Sequence, residues 1–161
     1  MSNVTEHVDV DVPVRTAYNQ WTQFEEFPHF MEGIQKVQQL DDKRLHWHAK
    51  VAGKEEQWDA TITEQTPDRM VAWRSTSGAP NGGQVTFESL GANRTRVTAR
   101  MEYEPEGVVE KAGDALGFMD RRVQGDLNRF KEFIEGRGTE TGAWRGEIHG
   151  SQVESGSSAA S

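Results

Sequence analysis

The chain has 161 residues, a net charge of −8, 34% hydrophobic residues and no cysteine. That length suits one domain with a single substantial core plus a tail, and the missing thiols exclude disulfides, thiolate metal sites and cysteine nucleophiles. An acidic protein is repelled by phosphate at long range, so neither nucleic acid nor an anionic membrane surface is an expected partner.

Met1 to Val10 alternates polar and apolar residues without a long apolar run, and no segment is apolar enough to span a bilayer. A cytoplasmic protein without stable membrane insertion is therefore expected. Val4, Glu6, Val8, Val10 and Val12 share one side of this stretch, which predicts a half-buried strand ended by Pro13. Val14, Ala17, Tyr18, Trp21 and Phe24 then follow helical spacing, and after a break Glu25 to Phe30 reads as a second short helix, since Pro28 is tolerated only near a helix start. Ile34, Val37 and Leu40 do not alternate, which suggests a bulged or edge strand.

The next segments pair more clearly. Leu45, Trp47, Ala49 and Val51 share one face, as do Trp58, Ala60 and Ile62, and a two-residue turn at Ala52-Gly53 sets Trp47 opposite Trp58. Thr66-Pro67-Asp68-Arg69 reads as a type I turn that places Ile62 opposite Trp73 and Glu64 opposite Val71. Ser77 to Gly83 reads as a loop. Val85, Phe87 and Ser89 then face Val97, Ala99, Met101 and Tyr103 across Gly91-Ala92-Asn93. Tight turns throughout predict an antiparallel meander with one solvated face.

From Gly107 to Gly136 the pattern changes. Val109, Ala112, Leu116, Met119, Val123, Leu127, Phe130 and Ile134 recur at intervals of 3 or 4, the stripe of an amphipathic helix. Pro105 and Gly107 mark its start and Gly136 suits a left-handed C-terminal cap. At 1.5 Å per residue it runs roughly 42 Å, and a surface that long requires a continuous partner such as a curved sheet. The fold class is α+β: about seven antiparallel strands, two short helices after the first strand, and one long C-terminal helix.

The order of elements resembles the START-like, birch-pollen-allergen-like (SRPBCC) superfamily, specifically its polyketide cyclase and coenzyme-Q-binding branch. The resemblance rests on Val8-Asp9-Val10-Asp11-Val12-Pro13-Val14 leading to Tyr18 and Trp21, and on Phe24-Glu25-Glu26-Phe27-Pro28-His29-Phe30. It continues through Gly83-Gln84-Val85-Thr86-Phe87, Thr95-Arg96-Val97-Thr98 and Tyr103-Glu104-Pro105-Glu106-Gly107. It spans roughly residues 3 to 136, so the domain is placed at 1–136 and a Gly/Ser-rich tail at 137–161. The resemblance implies a helix-grip fold, in which the sheet wraps the long helix around a cavity. Gly113 and Gly117 agree with it, because each costs about 1 kcal/mol relative to Ala in a helix and is small enough to leave room.

Trp47, Trp58, Trp73, Phe87, Met101 and Tyr103 are the candidate ligand-binding residues on the sheet side, with Gly113, Leu116, Gly117 and Met119 from the helix. The same residues also suit an ordinary core. The first function considered is binding a hydrophobic small molecule such as a quinone, lipid or polyketide, as a carrier or chaperone. An aromatase or cyclase would use the same cavity with Tyr103 as the catalytic candidate and a nearby Arg or His as its partner in proton transfer; an inward His or Asp beside Tyr103 would favour this reading. A third possibility is an interaction protein of a respiratory or ribosomal partner. No cofactor is implied. His46 and His48 are turned outward by the register, with His46 opposite Asp59, so no metal site is expected.

The tail is too poor in apolar residues to fold alone. Trp144 and Ile148 stand out within residues 143–148. Burying both contributes roughly 3 to 5 kcal/mol, whereas fixing six residues costs on the order of 6 to 12, so docking requires backbone bonds to a sheet edge. The first strand or the irregular Ile34–Leu40 strand is the expected edge, with residues beyond about Gly150 left disordered.

Overall fold

A computed structural model describes residues 2–51, 53–78, 81–103, 112–150 and 152–154; for residues 2, 51, 103, 112–120 and 154 it describes the backbone. Strand β1 (Ser2–Val10) leads into helix α1 (Val14–Trp21) and a 3-10 segment (Phe24–His29). Strands β2 (Ile34–Gln39), β3 (Arg44–Val51), β4 (Lys54–Thr66), β5 (Met70–Ser75), β6 (Asn81–Gly91) and β7 (Arg94–Tyr103) follow. Helix α2 (Ala112–Arg137) and two short strands, β8 (Glu147–His149) and β9 (Gln152–Glu154), complete the described chain. The main sheet runs β1-β7-β6-β5-β4-β3-β2, and its pairings are antiparallel.

The expected start of α2, with Pro105, Gly107 and Val109, lies outside the described residues. Its other end comes later than the sequence suggested: Gly138, not Gly136, takes the left-handed cap at φ 78°, and its N–H still reaches the Ile134 carbonyl at 2.8 Å. Val123, Leu127, Phe130 and Ile134 are buried along one stripe of the helix. Trp21 meets Phe27, Phe30 and Phe130 at 5.1 to 5.5 Å between ring centres, mostly edge to face. This aromatic cluster fills the C-terminal half of the space under α2.

Two turns depart from expectation. Asp68 has φ 64°, which a type II turn requires at its third residue and a type I turn does not. Thr66 consequently pairs with Met70, and the register slips between Ile62 and Glu64. Ile62 still faces Trp73, but Gln65, not Glu64, lies opposite Val71. A bulge at Thr63 thus turns Gln65 inward. The expected loop also ends early: Gly82 and Gly83 belong to β6 and pair with Arg74 and Trp73. A Cβ on Gly83 would lie 2.7 Å from Trp73 Cζ2 and 2.8 Å from Met101 Sδ, so the strand approaches that ring with no side chain between. The β2 strand is bulged between Ile34 and Lys36 and ends the sheet.

The tail segment adds β8 to β4, not to β1 or β2, pairing Glu64 with His149 and Gln65 with Ile148. The reason is local. The last β3–β4 pair is Arg44 with Thr61, so β4 continues past β3 with one side open. The bulged Thr63 carbonyl accepts from the Gly150 N–H at 2.9 Å. Ile148 is completely buried, Trp144 packs against the core, and β9 extends order to Glu154 by pairing with β8.

Candidate functional site

Alternation along β3, β4 and β5 points Trp47, Trp58 and Trp73 to the concave side of the sheet. Trp47 and Trp58 are direct cross-strand partners, and their rings stack with centres 5.8 Å apart and planes only 7° from parallel. Trp73 continues the row, stacked on Trp47 at 6.3 Å and 23°. Gly83 permits this arrangement, because the Trp73 ring occupies the space its side chain would fill. Met101 closes the row on the β7 side. The outcome is a continuous aromatic wall made by three adjacent strands and floored by one glycine.

Trp47 and Trp73 are buried, while Trp58 is partly exposed. The indole N–H groups of Trp47 and Trp58 are nevertheless shielded from solvent and, like that of Trp21, have no hydrogen-bond partner among the described residues. Desolvating an N–H without an acceptor costs on the order of 1 to 3 kcal/mol. Beyond Trp58, Glu56 shares the same side of β4, 3.6 Å from Lys54, so the aromatic row gives way to charge there.

The other sheet-side candidates separate. Phe87 meets Tyr18 of α1 edge to face at 5.5 Å and 79°. It lies four residues along β6 from Gly83, about 13 Å, and belongs to the core beneath α1. The side chains of Tyr103, Leu116 and Met119 and the surroundings of Gly113 and Gly117 lie outside the described part; the backbone of all five falls in β7 and α2. Sequence reasoning passed over Gly83 because it was assigned to a loop. Its place opposite Trp73 would have marked it as an inward position.

The histidines sit elsewhere. His46 Nδ1 is 2.7 Å from Asp59 and its Nε2 is 2.9 Å from Gln57, on the outer face. The Asp59 hydrogen bond, with help from Gln57, raises the His46 pKa above its usual value. His48 pairs with Glu55 at 3.0 Å, His149 with Glu64 at 2.6 Å, and His29 with Glu26 at 3.3 Å. Among the described residues no three histidine or carboxylate side chains converge on a common point. Another concavity, about 450 Å³, opens between the 3-10 segment, the β2–β3 turn and Trp144. Glu25, Glu26, Asp41 and Asp42 line it. An open, acidic hollow offers an apolar ligand little desolvated surface.

No helix among the described residues is long and apolar enough to cross a membrane. A family model described as polyketide cyclase / dehydrase and lipid transport matches residues 10–132. An uncharacterised 17.2 kDa protein of Streptomyces lincolnensis, from the melC2-rnhH intergenic region, is 52% identical over 149 residues, covering 92% of this chain and 99% of that protein. A Deinococcus radiodurans protein of known structure superposes with TM-score 0.68 at 29% identity, over 84% of this chain and 99% of that one. The Zhui aromatase/cyclase of Streptomyces sp. R1128 superposes with TM-score 0.72 at 18% identity, over 88% of this chain and 98% of that one. At that identity the last likeness concerns the fold alone.

Proposed function

Since the chain belongs to the polyketide cyclase/dehydrase and lipid transport family, we propose that it binds a hydrophobic small molecule, such as a quinone, lipid or polyketide, between the concave sheet and α2. The observation that carries this reading is the stacked wall of Trp47, Trp58 and Trp73 with two buried, unpaired N–H donors. A wall of that kind recognises a flat or extended apolar body by contact, and its donors select a carbonyl or ether oxygen on that body. Met101 and Gly83 complete the sheet side; Gly113, Leu116, Gly117 and Met119 are proposed for the helix side.

Binding without turnover is favoured over cyclase chemistry by the histidines. His29, His46, His48 and His149 are each paired with a carboxylate and at least partly exposed, away from the tryptophan wall. Tyr103 remains the catalytic candidate of the alternative, which requires an acid or base beside it. The test is replacement of Gly117 by Leu. Uptake of a hydrophobic fluorescent probe is expected to disappear while the far-ultraviolet circular dichroism is kept, and undiminished uptake contradicts the proposed cavity.

A further inference from the structure

Along β1, Val4, Glu6, Val8 and Val10 point to the same side, so one carboxylate stands among valines. Its cross-strand partner is Ala99 of β7, which is 5% exposed, and Val4 beside it lies opposite Met101. Glu6 is therefore on the concave side of the sheet, one row from the line that joins Met101, Gly83 and Trp73. Strands β7 and β6 lie between it and β5, so roughly 15 Å of sheet separates it from Trp73.

This part of the concave face is reached by solvent. Met101 faces inward from β7, with a strand on either side, yet it is only partly buried, as are Glu6 and Val8. Helix α2 runs along the edge of β1: Gln124 Nε2 reaches the His7 carbonyl at 3.5 Å, and Lys131 donates to the Asp9 carbonyl at 3.0 Å. The Asp11 N–H in turn donates to Glu135 at 2.7 Å. These contacts advance along both elements in the same direction, so the backbone turns of α2 before Gln124, which carry Leu116 and Met119, come level with Glu6 and Val4. The carboxylate thus faces the same space between sheet and helix that is proposed for the ligand.

An inward charge on an edge strand also discourages pairing with another sheet. Here α2 already covers that edge, and the charge is not needed for it. The remaining inward acid among the described strand residues, Glu56, is 3.6 Å from Lys54 at the far hairpin. A carboxylate has two oxygens and about four acceptor sites, so a bond within the protein leaves room for one from a ligand. Once ionised it accepts only. It receives a hydroxyl or an amine and repels a carboxylate or phosphate.

We propose that Glu6 is a specificity-determining residue of the sheet–helix site, receiving a hydrogen-bond donor head group, hydroxyl or amine, and rejecting anionic ones. The inference rests on the binding reading above and narrows its ligand class: neutral or cationic amphiphiles enter, whereas free fatty acids and anionic lipids do not.

Displacement of the neutral hydrophobic dye Nile red from the full-length protein by decanol, decylamine and decanoate tests it at mildly alkaline pH. Decanol and decylamine are expected to displace the dye about tenfold more effectively than decanoate, because like charges in one site are costly. That gap should close in Glu6→Gln, which keeps the shape and removes the charge, and reverse in favour of decanoate in Glu6→Lys. An order of the three compounds that neither variant changes overturns the role of Glu6 and leaves the binding site standing. Decanoate bound as well as decanol by the unmodified protein overturns it without recourse to a variant. Failure of the dye and of all three compounds to bind removes the site itself, and this inference with it.

Discussion

Tyr18 shows how one residue reports on its surroundings. Burial, the largest influence, raises its pKa to about 12, against about 10 for a free phenol. A folded-state pKa above the unfolded one means stability that is complete below pH 10 and lost as pH climbs toward 12. The loss amounts to roughly 2 to 3 kcal/mol at the upper end. Absorbance at 295 nm should therefore show one of the two tyrosines titrating near 12, and Tyr18→Phe should flatten the decline of thermal stability between pH 10 and 12. Gly83 is a second informative residue. Gly83→Ala must push aside the Trp73 ring and Met101, and the expected cost is about 1 to 3 kcal/mol. The near-ultraviolet circular dichroism arising from the stacked indoles should change with it; an unaltered spectrum and midpoint would mean that the ring does not lie over the strand. Trp47, Trp58 and Trp73 were legible as inward residues because strand alternation fixes them. Gln65 was not, because one extra residue at Thr63 reverses every side chain beyond it and nothing in the local pattern marks the slip.

Among elements, the segment from Glu140 to Glu154 differs most from expectation. The contrast of Trp144 and Ile148 with their polar neighbours indicated docking, but the receiving edge depended on the free end of β4, a tertiary feature with no trace in the tail itself. Its anchor is Ile148. Ile148→Ala should destabilise the whole fold by about 2 to 5 kcal/mol in denaturant melts, since it empties a fully buried position opposite Gln65. A change near zero would show that the segment is peripheral. Next to it is His149, whose pKa is raised by the hydrogen bonds its ring donates to Glu147 and Glu64. A raised folded pKa gives stabilisation that is present below about 6.5, the unfolded value, and lost as pH rises through the higher folded one. Exchange of the Ile148 and His149 amides, corrected for the intrinsic rate, should accelerate from pH 6.5 upward, and His149→Gln should remove that dependence. The long helix was legible over most of its length, yet its C-terminal cap was read two residues early, because two glycines, Gly136 and Gly138, compete for the role and only the backbone shows which takes positive φ.

For the molecule as a whole, the order of strands and helices was readable from alternation, turn residues and one helical stripe, and those same features place the chain in its family. What the chain binds was not readable, since aromatic residues that line a cavity and those that fill a core obey the same alternation. Phe87, Trp47 and Trp73 all belong to one buried cluster, with Trp58 packed against it. The most direct measurement is mass spectrometry of small molecules extracted by organic solvent from the purified, full-length protein, beside titration of the extracted and refolded protein with the recovered compound followed by tryptophan fluorescence. Binding on the tryptophan wall predicts one apolar, oxygen-bearing compound in near-stoichiometric amount, saturable quenching on its return, and loss of that quenching in Trp58→Leu. An empty extract together with a refolded protein whose fluorescence no apolar, carbonyl-bearing probe alters would contradict it.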